Sequence, residues 1–119
     1  MEKSVFLISV NGLITNADEA LIPAMDRGFL YGDSVYEATR TFQKKPFHWS
    51  FHLSRLFESA KKMEIDVNYS AEELTAEVQK MIDQHPSSNI TLRIQLSRGT
   101  NKELGLSRTL VSSRNNLII

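Results

Sequence analysis

The segment DRGFLYGDSVYEATR, residues 26–40, joins a turn-rich loop to a strand and sets the fold predicted for the rest of the chain. From Ser34 onward the side chains alternate between two faces, a period typical of a β-strand. One face carries Val35 with polar and acidic neighbours, and the other carries Tyr36 and Arg40. Two of the three tyrosines of the chain, Tyr31 and Tyr36, therefore lie beside a Gly-Asp turn and on a strand. Their position raises the question of what they contact.

A hairpin and a second turn are predicted around this segment. The Asn-Gly pair at residues 11–12, between the apolar stretches of SVFLISVNGLIT, predicts a β-hairpin. Residues 16–28 predict an irregular loop, because they contain a proline and end on a glycine. Residues 43–46 predict a turn into another strand around Phe47.

The C-terminal third predicts two further strands. Alternation in NITLRIQLSRGT, residues 89–100, predicts a strand with its isoleucines and leucines inward and its polar residues, Ser97 among them, outward. A last strand is predicted for TLVSS, residues 109–113. The apolar ending NLII, residues 116–119, has two interpretations: a terminal strand docked in the sheet, or a chain that is only part of a protein, since whole chains usually end polar or frayed.

Two amphipathic helices are predicted between these strands. Ser50 is placed to cap the first helix, and Ser70 forms a capping box with Glu73 at the start of the second. The apolar stripes expected to be buried are Leu53, Leu56, Ala60 and Met63 in the first helix, and Leu74, Val78, Met81 and Ile82 in the second. The prediction is a single small α+β domain over residues 1–119, an antiparallel sheet with two helices packed on one face.

Composition excludes several classes of function. The 14 basic and 14 acidic side chains cancel, which argues against a nucleic-acid partner, because such proteins need a basic patch. The absence of cysteine excludes disulfides and thiolate metal sites. The apolar run near the N-terminus breaks at residues 11–12, too early for a signal peptide, and no segment could span a membrane. A soluble cytoplasmic protein is the expectation.

Four arginines are candidate ligands for a small anion, because a guanidinium fork suits carboxylates and phosphates. They are Arg40 on the strand face of Tyr36, Arg55 on the first helix, and Arg93 and Arg98 at the end of a strand. Solvated or paired surface arginines are the ordinary alternative.

Other chemistry finds little support in the sequence. His48 and His52 are four residues apart, but His48 precedes the predicted cap and no third ligand is evident, so no metal site is predicted. The chain has no nucleophile elbow and no glycine-rich phosphate loop. From the residues alone, the sequence predicts a small α+β domain with a candidate anion site.

Three motifs in order identify a family. They are D-R-G-x-x-x-G-D-x-V-Y-E at residues 26–37, H-x-x-R-L-x-x-S-A at residues 52–60, and LRIQLSRGT at residues 92–100. Together they resemble the N-terminal domain of the class IV aminotransferases, the fold-type IV pyridoxal-phosphate enzymes. This family includes branched-chain aminotransferase, D-amino-acid aminotransferase and aminodeoxychorismate lyase. The resemblance runs from residue 11 to about residue 106.

The resemblance implies roles for the aromatic residues and the helix arginine. Arg55 matches the arginine that binds the phosphate of pyridoxal 5'-phosphate. Tyr36 matches an aromatic residue beside the cofactor that shapes the substrate pocket. Tyr31 matches an aromatic residue that lines the side-chain pocket of the branched-chain enzymes. The two tyrosines are therefore expected to face one pocket.

The resemblance also implies substrate contacts for the other arginines. Arg93 matches an arginine of the branched-chain type that meets the acidic co-substrate. Arg98 matches the carboxylate-trapping arginine of the D-amino-acid type, and Arg40 lies at a matched position near the site. The implied ligands are an amino acid and a 2-oxo acid. Some family residues reach across a dimer interface, so a homodimer is implied as well.

Departures from the family pattern bear on the substrate. The D-amino-acid type carries a histidine shortly after the RGT of residues 98–100, whereas the segment RGTNKELGLS at residues 98–107 contains none. The segment VYEATR, residues 35–40, disfavours the lyase type. The resemblance therefore implies the N-terminal half of an aminotransferase, with the branched-chain type favoured and the D-amino-acid aminotransferase and the lyase as alternatives.

The family lysine that forms the Schiff base with the cofactor belongs to a second domain, and no lysine of residues 1–119 matches it. The resemblance thus implies no catalytic residue here, and residues 1–119 alone are expected to be inactive and not to retain the cofactor. A non-catalytic dimerisation or binding domain is the alternative of another class.

Overall fold

A computed structural model describes residues 5–119 and contains a six-stranded antiparallel sheet with two long helices. The strands, in chain order, are β1 Leu7–Val10, β2 Leu13–Asn16, β3 Ser34–Phe42, β4 Lys45–Pro46, β5 Thr91–Ser97 and β6 Leu117–Ile118. Their spatial order is β2-β1-β6-β5-β3-β4. The helices are α1 Arg27–Tyr31, α2 Trp49–Lys62 and α3 Ala71–Gln84, with 3-10 turns at Ala17–Glu19 and Arg108–Leu110.

Both predicted turns close hairpins. Asn11 and Gly12 have φ angles of 52° and 91°, and Gln43 and Lys44 have φ angles of 50° and 65°. Two successive left-handed residues match the right-handed twist of the strands they join. The strand predicted around Phe47 lies slightly earlier, at β4, and the Phe47 N–H still donates to the Arg40 carbonyl at 2.8 Å.

The core lies between the two long helices and one face of β3 and β5. Buried residues of the helices include Leu56, Ala60, Leu74, Val78, Met81 and Ile82, and they pack on Val35, Leu92, Ile94 and Leu96 of the strands. The capping box of Ser70 and Glu73 is present at the start of α3. The predicted α+β fold, with two helices on one face of an antiparallel sheet, is confirmed.

The predicted start of α2 was wrong. The helix begins at Trp49, and its N-cap is His48, which has a φ of 50° and no side-chain cap hydrogen bond. The left-handed turn at His48 leads the chain straight from β4 into the helix, so Ser50 already lies in the first turn. Met63, expected in the apolar stripe, is the C-cap residue and remains 39% exposed.

The predicted orientation of Ser97 and the predicted last strand were also wrong. Ser97 is 1% exposed, because its hydroxyl donates to Asp26 beneath the loop that precedes β3. Residues 109–113 contain a 3-10 turn and only an isolated bridge at Val111. The last strand is instead β6, which pairs with β1 on one side and β5 on the other. Residues Leu117 and Ile118 of the apolar ending thus form a strand docked in the sheet.

The short helix α1 was not predicted, although its end signals are in the sequence. Asp26 caps it by accepting the Phe29 N–H at 2.9 Å, and Gly32 ends it with a left-handed φ of 68°. This helix places Tyr31 and Asp33 at the corner that leads into β3. No helix within residues 5–119 has the length and apolar character needed to cross a bilayer.

Candidate functional site

The sheet face opposite the helices brings together three of the predicted substrate-binding residues. Tyr36 and Arg40 lie on β3 and point away from the core, and Arg93 lies on the same face of β5. In the β3–β5 register Arg93 is opposite Ala38, between the positions of the other two. Cross-strand and diagonal neighbours at this spacing are within reach of long side chains.

Arg93 and Tyr36 form a cation–π pair on this open face. The guanidinium carbon lies 4.3 Å from the ring centroid, and Nη2 donates to Oε1 of Gln95 at 3.2 Å. Tyr36 is 58% exposed. An arginine steadied by an aromatic ring and open to solvent can bind a carboxylate through its fork.

Arg55 lies on the other side of the sheet, where it is held by Glu37. The Glu37 side chain is buried, and it accepts Nε and Nη2 of Arg55, both at 2.8 Å, and contacts Nδ1 of His52 at 2.7 Å. The Arg55 side chain is itself 54% exposed, and its Nη1 has no hydrogen-bond partner within residues 5–119. The ion pair thus fixes one edge of the guanidinium and leaves another edge for a ligand.

The Glu37 carboxylate is kept charged by these neighbours. The hydrogen bonds and charge of Arg55 lower its pKa from the ordinary value of 4.5, burial opposes this, and the contact with His52 lowers the pKa further. A carboxylate at an inward strand position therefore needs both helix partners. Burying it unpaired would cost several kcal/mol in a medium of low dielectric constant.

Arg98 belongs to a second ion cluster, at the α1–β3 corner. Oδ2 of Asp33 accepts Nε of Arg98 at 2.6 Å and Nε of Arg27 at 2.7 Å. Arg98 also donates to the main-chain carbonyls of Met63 and Glu64, at 3.0 and 2.7 Å. All three of its side-chain nitrogens are thus engaged, and the side chain is only 12% exposed.

The same cluster perturbs Asp33. Burial by itself would raise the Asp33 pKa, but the hydrogen bonds and positive charges of Arg98 and Arg27 outweigh it and hold the pKa below the ordinary value of 3.8. Asp33 therefore stays ionised and joins α1 to the end of β5.

Tyr31 contacts the loop that follows β5. Its hydroxyl accepts the Gly105 N–H at 3.0 Å, and the Arg27 guanidinium carbon lies 5.4 Å from its ring centroid. The two tyrosines therefore have separate contacts, Tyr31 with the loop and Tyr36 with Arg93. That both face one pocket stays a prediction.

Sequence reasoning missed Glu37, His52, Asp33 and Arg27 as members of these clusters. One signal was available for the first pair: Glu37 alternates in phase with buried Val35, and a buried carboxylate needs a cationic or hydrogen-bonding partner. His52 and Arg55, three apart on a helix, share a face and can supply it.

Comparison with known proteins agrees with this architecture. Residues 34–119 match the family model described as amino-transferase class IV. A D-alanine aminotransferase of Listeria monocytogenes is 33% identical over 92 residues, which cover 77% of this chain and 32% of that protein. The chain thus spans about a third of the length of the curated relatives it matches.

Two solved structures show the same fold. The branched-chain amino acid aminotransferase from Escherichia coli has a TM-score of 0.77 at 23% identity, covering 97% of this chain and 40% of that one. The 4-amino-4-deoxychorismate lyase of Pseudomonas aeruginosa has a TM-score of 0.76 at 21% identity, covering 94% and 38%. At this identity the likeness concerns the fold alone.

Proposed function

The chain belongs to the amino-transferase class IV family, and from this premise we propose that it is the N-terminal domain of a pyridoxal-phosphate-dependent aminotransferase. The proposed reaction moves an amino group between an amino acid and a 2-oxo acid. An amino acid of the branched-chain type is the first candidate donor. The lysine that holds the cofactor covalently is proposed to lie in a second domain, outside residues 1–119.

The observation that carries this proposal is the fixed guanidinium of Arg55. A phosphate group is best held by a cation whose donors are already oriented, because less rotational freedom is lost on binding. Glu37 orients Arg55 through two hydrogen bonds of 2.8 Å and leaves Nη1 without a partner among the described residues. Arg55 would hold the cofactor phosphate through this edge. When bound, the cofactor supplies the electron sink that amino transfer needs.

The open sheet face suits the substrate side of the reaction. Both substrates carry a carboxylate, and Arg93 and Arg40 present cationic side chains on the face that Tyr36 shares. We assign Arg93 to the acidic co-substrate, Arg40 to a supporting contact, and Tyr36 to the wall of the pocket. Tyr31, beside the loop that contains Gly105, is assigned to the substrate side-chain pocket.

Arg98 distinguishes the two leading substrate types. A carboxylate bound by Arg98 would have to displace Asp33 or the carbonyls of Met63 and Glu64, and each lost contact to a charged group costs about 1.5–3 kcal/mol. Arg93 has no such competitor beyond Gln95 within the described residues. This difference favours the branched-chain type, which uses the position of Arg93.

A D-amino-acid aminotransferase is the second candidate. The observation in its favour is the sequence match to proteins named D-alanine aminotransferase, at 33% to 35% identity. The lyase type is the third candidate, supported only by likeness of fold. In each case a homodimer is proposed.

The natural gene product at its full length provides the test. We expect it to carry bound pyridoxal phosphate, visible in its absorbance spectrum, and to transfer the amino group of L-leucine to 2-oxoglutarate faster than that of D-alanine. Faster turnover of D-alanine would assign the second candidate. A folded protein without cofactor or activity would favour a non-catalytic dimerisation or binding domain, and its mass in solution would then separate dimerisation from binding.

Residues 1–119 provide the matched control. Produced alone, they are expected to show no transamination and to lose the cofactor on dialysis, because a phosphate contact at Arg55 remains but the covalent link does not. Retention of activity by residues 1–119 would contradict the proposal that the cofactor-binding lysine lies in a second domain.

A further inference from the structure

We propose that Arg27 is a positioning residue for the substrate side-chain pocket. Its guanidinium holds the loop of residues 103–107, and the Gly105 amide of this loop in turn holds the Tyr31 hydroxyl. The inference rests on the proposed function, which assigns Tyr31 to that pocket. Arg27 is only 4% exposed, so it acts through the residues around it and not by contact with a ligand.

The loop of residues 103–107 has few other contacts to hold its shape. Its ends are joined by one backbone hydrogen bond, from the Lys102 N–H to the Leu110 carbonyl at 2.9 Å. Within residues 5–119, no N–H of the loop donates to another backbone group. Leu104 and Leu106 are 72% and 71% exposed, so the other described residues do not pack closely around them. A segment with so few contacts opens easily unless polar bonds fix it.

The Arg27 guanidinium supplies those bonds. Its two terminal nitrogens donate to three successive carbonyls of the loop, those of Gly105, Leu106 and Ser107, at 3.4, 2.9 and 3.3 Å. Nη1 also donates to the Asn101 side-chain oxygen at 3.1 Å, and the Asn101 amide donates to the Gly105 carbonyl at 2.9 Å. Three successive carbonyl oxygens can converge on one group only in a narrow range of backbone angles. Arg27 therefore selects this conformation of the loop.

An ion pair with Asp33 compensates the charge of the buried guanidinium and orients it. Nε of Arg27 donates to Oδ2 of Asp33 at 2.7 Å, and the same oxygen accepts Nε of Arg98 at 2.6 Å. Burying the Arg27 charge without such a partner would be unfavourable. The bond to Asp33 fixes one edge of the planar guanidinium, so that its other edge faces the loop.

The loop is joined to the proposed pocket through Tyr31. Arg27 and Tyr31 begin and end α1, four residues apart, so their side chains share one face of the helix. The guanidinium carbon lies 5.4 Å from the Tyr31 ring centroid, and the Gly105 N–H donates to the Tyr31 hydroxyl at 3.0 Å. We expect a change at Arg27 to move the wall of the pocket that meets a long substrate side chain, and to leave Arg55, on α2, in place.

Arg27→Lys tests the link to the loop. Lysine keeps the positive charge beside Asp33, but its ammonium is a single point and cannot reach Asp33 and three loop carbonyls together. We expect hydrogen exchange of the Gly105 amide in the full-length protein to become about tenfold faster or more, with unchanged affinity for pyridoxal phosphate. Mass spectrometry with residue-level fragmentation gives the exchange, and cofactor titration gives the affinity. Exchange at the parent rate would overturn the proposal.

Kinetics with a long and a short amino donor separate positioning from a general structural role. The comparison is between leucine and alanine, in whichever enantiomer the enzyme accepts, because alanine has no side-chain atoms beyond Cβ to reach the Tyr31 wall. We expect R27K to lower kcat/KM for leucine by about tenfold and that for alanine by less than about twofold. An equal loss for both donors would show a structural role only, and no loss for either would show no role, so both results overturn the proposal.

Asn101→Ala is a milder variant that keeps the proposal testable if R27K does not fold. It removes one acceptor of Arg27 and one donor to the Gly105 carbonyl, and it leaves the ion pair with Asp33 intact. The same selective loss of kcat/KM for leucine is expected, by about three- to fivefold, the equivalent of one hydrogen bond. A loss that is equal for leucine and alanine would overturn the proposal.

A double-mutant cycle tests the route through Tyr31. Tyr31→Phe keeps the ring but removes the hydroxyl that accepts the Gly105 N–H. If Arg27 acts through this bond, the protein with both R27K and Y31F loses no more kcat/KM for leucine than the more impaired single variant. Additive losses would place the effect of Arg27 elsewhere and overturn the proposal.

Arg108→Lys is the matched control. Arg108 lies in the adjoining 3-10 turn, and its exposed side chain pairs with Glu64 at 2.6 Å. Exposed pairs of this kind contribute little, so we expect unchanged Gly105 exchange and an unchanged ratio of kcat/KM for leucine and alanine. The same changes in this control would overturn the assignment to Arg27. Failure of the proposed function gives a different result, a full-length parent protein without transamination, whereas failure of this inference leaves the parent active and R27K indistinguishable from it.

Discussion

Glu37 and Arg55 form a two-point ion pair between the buried face of β3 and the helix α2, with both N···O distances at 2.8 Å. The carboxylate is 6% exposed, whereas the guanidinium is about half exposed. The buried Glu37 carboxylate therefore holds the Arg55 guanidinium, which is the donor, in one orientation. We assign Glu37 as a positioning residue for Arg55.

Replacing Glu37 with glutamine tests this positioning role. The amide keeps the size of the side chain but loses its charge, and it can accept only one of the two Arg55 bonds. We expect E37Q to lower the affinity of the full-length protein for pyridoxal phosphate by about tenfold, measured by cofactor titration, and to reduce the melting temperature. Glu58→Gln, at an exposed position of α2, is the control and should change neither the cofactor affinity nor the melting temperature. Unchanged cofactor affinity in E37Q would show that Glu37 does not position Arg55 for cofactor binding.

The pH dependence of stability follows from Asp33 and Glu37. Both carboxyls have a pKa below the ordinary value in the folded protein, so the folded state binds fewer protons than the unfolded state in acid. Their contribution is complete above the ordinary values of 3.8 and 4.5 and is lost as the pH falls through the lowered folded values. Urea unfolding between about pH 5 and pH 2 should show a falling free energy of unfolding.

Asp33→Asn isolates one of these two groups. The variant should be less stable than the parent at neutral pH, and the difference should shrink toward acid, because the parent loses its charge there while the amide has none to lose. A difference in the free energy of unfolding that stays constant from about pH 5 to pH 2 would show that the charge of Asp33 does not cause the lower stability of the variant.

The sequence predicted the elements whose signals are local. The Asn11-Gly12 hairpin, the capping box at Ser70 and the alternation of β3 each depend on neighbouring residues, and each is present. Ser50 failed as a cap because the left-handed His48 starts α2 two residues earlier. A left-handed φ is uncommon at any residue other than glycine, even though histidine adopts it more often than most residues do.

The parts that could not be predicted depend on contacts between distant residues. Ser97 is buried by Asp26, 71 positions away, and β6 is defined by partners in β1 and β5. The motifs singled out Arg55 and Arg98 as candidate site residues. For Glu37 and Arg55 the strand alternation and the helix spacing were the available signal. The pairing of Asp33 with Arg98 had none, because the two residues lie 65 positions apart.

Arg93 and Arg98 should respond in opposite ways to truncation. Arg93→Ala removes an exposed side chain, so we expect unchanged stability but about tenfold or greater loss in kcat/KM for 2-oxoglutarate in the full-length protein. Arg98→Ala leaves Asp33 and two carbonyls short of a donor and should cost about 2–3 kcal/mol of stability. Urea unfolding and steady-state kinetics of both variants give the comparison. A loss of activity in Arg98→Lys without loss of stability would instead support the D-amino-acid assignment.

Gly32 should be required for its backbone conformation alone. Its φ is 68°, and an added Cβ would meet no atom within 4 Å, so Gly32→Ala introduces strain without a steric clash. We expect a loss of about 1 kcal/mol of stability, measured by chemical unfolding, since alanine disfavours the left-handed region. Gly32→Asn is the matched control, because asparagine tolerates this conformation, and it should retain most of the stability. The strain falls at the residue that ends α1, so Gly32→Ala should also perturb the NMR signal of the Gly105 amide bound to Tyr31. Equal destabilisation by alanine and asparagine would mean that the side chain itself, rather than the backbone angle, is unfavourable there.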